Sequence, residues 1–218
     1  MKTKTIIYTF LLLLVLTVQR CQCKKDDPIP TPTPVDYRPN TIFGKVVDKT
    51  TGQGIAHARV YFLTGTRVIL GNPSWHTTST QYSDSSGNFS FTTTPRSDSI
   101  YEVYSIKDLY FDDGNNATEI SYTDVGYAKS VMLQPMAWMK LHVKNVNPFN
   151  DADEIHINGV IGGTFTGKSV DTSIIYPPVF GNQTNLISIF ITKNGNQTNK
   201  QENIFCTSFD TTLFKMFY

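Results

Sequence analysis

Apolar and polar residues alternate with a period of two along much of the chain beyond residue 40, as half-buried β-strands require. The clearest run is Met139 to Val146, where Met139, Leu141 and Val143 alternate with Lys140, His142 and Lys144. Shorter runs rich in Val, Ile, Thr, Tyr and Phe predict strands at Thr41 to Val47, Ala58 to Leu63, Asn88 to Thr92, Tyr101 to Ile106 and Ala128 to Leu133. Four more are expected around Ile155 to Ile161, Leu186 to Thr192, Asn203 to Phe209 and Thr212 to Tyr218. No segment there carries the 3.6-residue period of an amphipathic helix, so the folded part is expected to be all-β.

The N-terminus follows a different pattern. Lys2 and Lys4 precede an uncharged apolar run from Ile6 to Val18, and Arg20 follows it, which is the layout of a secretory signal. A membrane-crossing helix needs roughly 20 apolar residues, so this run reads as an export signal and not as a span. From Pro28 to Pro39 prolines recur at nearly every second position, which excludes helix and predicts an extended spacer of about 3.1 Å per residue.

About 180 residues remain beyond the spacer, more than one small sandwich needs and suited to two. Gln134-Pro135-Met136 interrupts the strand pattern, because proline cannot donate to a ladder. The expected organisation is a signal peptide over 1–22, an anchor and proline linker over 23–40, a first β-sandwich over 41–135 and a second over 136–218.

Charge adds little. The chain carries 19 basic and 18 acidic residues; cleavage before Cys23 removes Lys2, Lys4 and Arg20 and leaves 16 against 18. A balance near −2 gives no electrostatic reason to expect nucleic acid as a partner. Of the three cysteines, Cys21 falls in the removed piece and Cys23 at the new N-terminus, so Cys206 alone stays in the folded part and is read as a small buried apolar residue. No disulfide framework is then possible, and packed cores must hold the fold.

Two resemblances sharpen this picture. An apolar segment ending at a cysteine resembles the lipobox of bacterial lipoproteins, and Cys23-Lys24-Lys25-Asp26-Asp27 resembles the start of Bacteroidota-type lipoproteins sent to the outer face. Neither Cys21 nor Cys23 follows a small residue, and it is the resemblance of the Cys23 to Asp27 run that makes Cys23 the preferred acylation site and Cys21 the alternative. The resemblance implies a palmitate-bearing anchor in lipid of the cell outer membrane, with the folded part exposed at the cell surface; several acyl chains hold firmly where one does not.

The second resemblance lies further on. Gly44-Lys45-Val46-Val47-Asp48, Thr51 to Ile55 and Ala58-Arg59-Val60-Tyr61, followed by Tyr82 to Phe91 with Asp84, Gly87, Phe89 and Phe91, are similar to the carboxypeptidase regulatory-like family. That family implies a prealbumin-like β-sandwich of about seven strands and a non-catalytic role. Asp48 to Gly54 and Asp84 to Gly87 supply turn residues, and Ala58, Val60, Phe89 and Phe91 are placed to enter a core.

Candidate chemistry is sparse. His57, His76, His142 and His156 form no zinc motif. His142 and His156 lie on successive predicted strands where a metal pair is conceivable, although the alternation directs both to solvent. Asp108 to Glu119 and Asn147 to Glu154 are rich in the oxygen ligands calcium prefers, without the spacing of a known calcium loop. Trp75, read as part of a polar stretch, and Tyr110 are the candidate ligand contacts, since exposed aromatics near loops stack on sugars or fill protein interfaces. Catalytic residues, metal and cofactor are all expected to be none. The expected function is a non-enzymatic surface lipoprotein that binds a protein or glycan or supports an envelope assembly. The alternatives are a hydrolase using loop carboxylates, or a fimbria-associated subunit whose last strand, Thr212 to Tyr218, waits for a partner.

Overall fold

The structure is a computed structural model that describes residues 40–66, 72–112, 116–121 and 128–218. Cys21, Cys23, the proline spacer, Asp113 and Asn115 lie outside the described residues. Every regular element among the described residues is a strand, so the chain is all-β, built as β-sandwiches around two hydrophobic cores.

The first core lies between two sheets. One has the order β4-β1-β7, with β1 (Asn40–Asp48) antiparallel to β4 (Asn88–Thr93) and parallel to β7 (Ala128–Leu133). The other is antiparallel, order β3-β2-β5-β6, from β2 (Arg59–Thr66), β3 (Trp75–Tyr82), β5 (Ser99–Ile106) and β6 (Thr118–Ile120). Ile42, Val46, Phe89, Phe91, Val131 and Leu133 from one sheet meet Val60, Phe62, Tyr101, Val103 and Ile120 from the other. A fully buried Ile or Val contributes about 1.5–3 kcal/mol each.

Both turns expected of this region form. The Asp48 carboxylate accepts from the backbone N–H groups of Thr50 and Thr51 at 2.8 and 3.0 Å, and the Asp84 carboxylate accepts from those of Ser86 and Asn88, both at 2.8 Å. Gly87 closes the second turn at φ +87°, where an added Cβ would meet the Val46 carbonyl at 2.6 Å. Only glycine suits that position.

The second core lies between β10-β9-β13-β14 and a sheet centred on β8. The first of these contains β9 (Glu154–Gly159), β10 (Gly163–Thr166), β13 (Gln183–Lys193) and β14 (Asn196–Cys206). In the other, β8 (Met136–Lys144) pairs antiparallel with β11 (Asp171–Ile175) and β12 (Val179–Phe180), and parallel with β15 (Thr211–Phe217). Met139, Leu141 and Val143 face Ile155, Ile157, Ile187 and Ile189. Cys206 is buried and free. The β13–β14 hairpin turns at Asn194-Gly195, both with positive φ (48° and 72°), the pairing a two-residue type I′ turn demands.

The chain passes from the first core to the second between Leu133 and Met136. Four contacts lock the passage: Tyr110 packs edge to face on Phe209 and Phe111 on Phe180, while the Met136 N–H donates to the Leu109 carbonyl and the Phe209 N–H to the Met136 carbonyl, both at 2.8 Å.

Candidate functional site

The richest concentration of chemistry lies where the β3-β2-β5-β6 sheet ends against this passage. Register brings three strands together there: Arg59 on β2 is opposite Tyr82 on β3 and opposite Ile106 on β5. The turn Lys107 to Tyr110 then runs from the end of β5 to the start of β8, where Tyr110 bridges Pro135. Two clefts, of about 590 and 460 Å³, flank that turn. Four non-glycine residues with positive φ surround them: His57, Leu109, Asn182 and Phe209. Such conformations cost about 1–3 kcal/mol each and persist only where the surroundings over-determine them. Here those surroundings are the backbone bonds across the passage and the bond from the His57 N–H to the Ser83 carbonyl.

On the larger cleft's wall, the Arg59 guanidinium donates to the hydroxyls of Tyr61 and Tyr82 at 3.4 and 3.1 Å and lies 5.7 Å from the Tyr82 ring centroid. These phenol contacts favour its protonated form. Tyr82 is 58% exposed. Next to this pair, Tyr61 and Tyr104 stack across β2 and β5 with centroids 4.6 Å apart and planes 6° apart. Burial, then the neighbouring Tyr61, Asp112 and Glu102, push the Tyr104 hydroxyl above its ordinary range.

Tyr110, read from the sequence as an exposed ligand contact, is half-buried. Its hydroxyl donates to Asp48 Oδ2 at 3.2 Å; burial and the Asp48 charge raise its pKa to about 12. Trp75 opens a strand where a polar stretch was expected, because His76 to Thr80 of β3 stay exposed on both faces and leave no apolar alternation. Its indole packs over Gly65, where an added Cβ would lie 2.9 Å from the ring. Gly65 is level with Ile100, at the far end of β5 from Tyr110. The two sequence candidates therefore stand at opposite ends of the sheet.

The histidine pair separates. His142 sits on β8 and bonds Asp171 at 2.8 Å, whereas His156 sits on β9, in the opposite sheet, and bonds Thr164 at 2.8 Å. Neighbours in sequence order are not neighbours in a sandwich when the chain crosses between sheets.

In the second acidic cluster, the Asp153 carboxylate accepts from the Phe149 and Asn150 N–H groups and the Asn145 amide. Burial raises its pKa, but these bonds and the charge of Lys193 hold it below the usual carboxylate range. Two cations lie beside this loop: Lys193, whose Nζ is 2.9 Å from Asn145 Oδ1 and 2.6 Å from the Asn147 carbonyl, and Lys168, 3.4 Å from Asp151 Oδ2. In the first acidic cluster, Asn116 is buried and its Oδ1 accepts from the Ser105 N–H at 3.2 Å. No group of three or more His, Cys, Asp or Glu is placed to hold a metal among the described residues.

Register also reveals an acid pair that no sequence motif marks. Glu102 on β5 is opposite Glu119 on β6, and burial, then the Glu119 charge, raises the Glu102 pKa.

No family model and no curated protein matches the chain. Among solved structures it is similar to the minor pilin GBS52 of Streptococcus agalactiae, at 10% identity over 82% of this chain and 94% of that one, TM-score 0.37. It is also similar to the shaft pilin SpaA of Lactobacillus rhamnosus GG, at 8% identity over 84% and 97%, TM-score 0.33. A DUF3823 family protein from Bacteroides uniformis overlaps at 12% identity over 77% and 99%, TM-score 0.30.

Proposed function

We propose that the chain is a non-enzymatic, membrane-anchored surface lipoprotein of a Bacteroidota-type envelope, serving as a binding or structural accessory module. Residues 41–135 act as a carboxypeptidase regulatory-like domain and residues 136–218 as a second domain. The Asp48 and Asp84 turns and the buried Ala58, Val60, Phe89 and Phe91 support the first assignment. The observation that carries the reading is the passage between the two cores, where paired aromatic contacts and backbone bonds join the two sandwiches. Joined to a proline spacer and an acylated Cys23, such a pair would stand clear of the lipid and present its clefts.

Metabolic labelling with palmitate tests the anchor. Label is expected in the wild type and in Cys21→Ala, and is expected to vanish in Cys23→Ala; a wild type without label overturns the lipoprotein reading. Protease shaving of intact cells tests the face.

A second reading, an envelope or polymer hydrolase, draws on Glu102, whose raised pKa beside Glu119 is the arrangement of a general acid near a carboxylate. The carboxylates of Asp48, at the end of β1, and of Asp84 and Asp153 in loops accept backbone N–H bonds and are held in the ionised form, which disfavours them as acids. Turnover of a glycoside or ester substrate, lost in Glu102→Gln, would establish this reading over the first.

A further inference from the structure

We infer that the cleft between Arg59, Tyr82 and the Lys107–Asp112 turn is a binding site for neutral saccharide chains. The inference rests on the proposed binding role and names the ligand class for it.

The first observation is the balance of charge. Arg59 and Lys107 line the cleft with Asp108 and Asp112, two cations against two anions. A site for an anion or a cation would be lopsided, whereas interspersed donors and acceptors suit hydroxyl groups, each of which both donates and accepts. Lys107 Nζ donates to the His57 carbonyl at 3.4 Å, and the other three groups are available. Arg59 bonds only phenol oxygens and has five N–H donors, so most of its donor capacity is open, and its side chain forms no ion pair with an acid among the described residues. Asp108 and Asp112 accept no hydrogen bond from the described residues, in contrast to the bonded carboxylates of Asp48, Asp84 and Asp153.

The second observation is the aromatic surface. Tyr82 is more than half exposed at the cleft wall, with the Arg59 guanidinium over one face of its ring, Ile106 and Met136 as apolar neighbours and Leu109, 50% exposed, on the turn. A pyranose has one face of C–H groups and a rim of hydroxyls, which is the complement of a flat ring bordered by mixed charges. The third observation is rigidity. The His57 and Leu109 backbones are fixed with positive φ, and the Met136 N–H bond to the Leu109 carbonyl ties the turn to the second sandwich. A site fixed before binding loses less entropy when the ligand arrives. The cleft is open and not enclosed, so a chain is accommodated as readily as a single unit.

The full-length protein in detergent, titrated with cello-, xylo-, manno- and maltohexaose and followed by calorimetry, tests the inference. Heparin and polygalacturonate serve as acidic comparisons. Saturable binding of at least one neutral hexaose is expected, weakened about tenfold or more in Tyr82→Ala and in Arg59→Ala and retained in Tyr82→Phe, with Trp75→Ala unchanged. Thermal melting of each variant separates lost binding from lost folding. No binding to any neutral hexaose overturns the inference, as does equal or tighter binding of the acidic polymers, or neutral binding indifferent to Tyr82. Palmitate labelling is unaffected by any of these outcomes, so the anchored-lipoprotein reading stands or falls separately.

Discussion

Tyr110 and Phe209 meet edge to face with ring centroids 5.3 Å apart, joining the rim of the first core to a loop of the second. An aromatic pair in this geometry contributes about 0.5–1.5 kcal/mol beyond the area it buries. The coupling energy from a cycle of Tyr110→Ala, Phe209→Ala and the double variant is expected in that range by urea denaturation. The double variant is also expected to broaden the transition or split it in two, since each core has its own sheets. Strict additivity would mean that the rings merely touch.

Asp48 stands behind the same contact. Burial raises its pKa, but bonds from Thr50, Thr51 and the Tyr110 hydroxyl more than offset this and hold the carboxyl below its ordinary range. A depressed folded-state pKa stabilises the protein above the unfolded value near 3.9, and that stability is lost as pH falls through the folded value. Asp48→Asn is therefore expected to cost about 1–2 kcal/mol at pH 7, a figure kept low for solvent screening. The gap to wild type should narrow as pH falls through the unfolded value and on through the lower folded one. A gap that stays constant with pH would show that the carboxylate charge contributes nothing.

Lys193 places an ammonium beside the Asn147 to Glu154 loop. Its ammonium bonds Asn145 and Asn147 and lies 5.0 Å from the Tyr218 ring centroid. Lys193→Met is expected to lower stability by about 1–2 kcal/mol, because Asn145 and Asn147 lose a charged donor. Millimolar calcium is expected to leave the wild-type melting temperature unchanged, as a divalent ion would have to displace the ammonium. A calcium-dependent rise in melting temperature would show instead a loop that binds the ion.

Much of this architecture was legible in the sequence wherever one face of a strand is buried. Met139, Leu141 and Val143 announce β8, and Phe89 and Phe91 announce β4, because burial imposes the period of two that the residues then carry. Where both faces are wet the signal disappears: β3 reads as a polar stretch, and the first six residues of β14, Asn196 to Gln201, are all exposed. The cleft was illegible for a different reason. Arg59, Tyr82, Lys107 and Met136 come from four separate parts of the chain and meet only through strand register and a crossing between sandwiches. Trp75 and Tyr110 are marked in the sequence by aromatic type and nearness to loops, and neither says which end of a sheet a residue occupies.

The last strand gives the sharpest test of how the second core is held. β15 runs parallel to β8 from Trp138 to Lys144, buries Met216 and Tyr218, and packs Phe214 against the core. It is thus paired with β8 on one side, and among the described residues no strand pairs its other side, so its place in the core and its edge are separate questions. Removing a buried Met or aromatic side chain costs about 2–5 kcal/mol, and β15 with Tyr218 carries two such groups, a partly buried Phe214 and a full ladder. That sum approaches or exceeds the 5–15 kcal/mol that holds a typical domain together. Deletion of Thr211 to Tyr218 is therefore expected to unfold the second sandwich, exposing its amides to fast hydrogen exchange. Amides of β1, β2 and β5 should stay protected, because the first core draws no residue from β15. A truncated protein with wild-type protection throughout the second sandwich would show that β15 is dispensable for folding, and only then would a role in assembly with another chain become its best explanation.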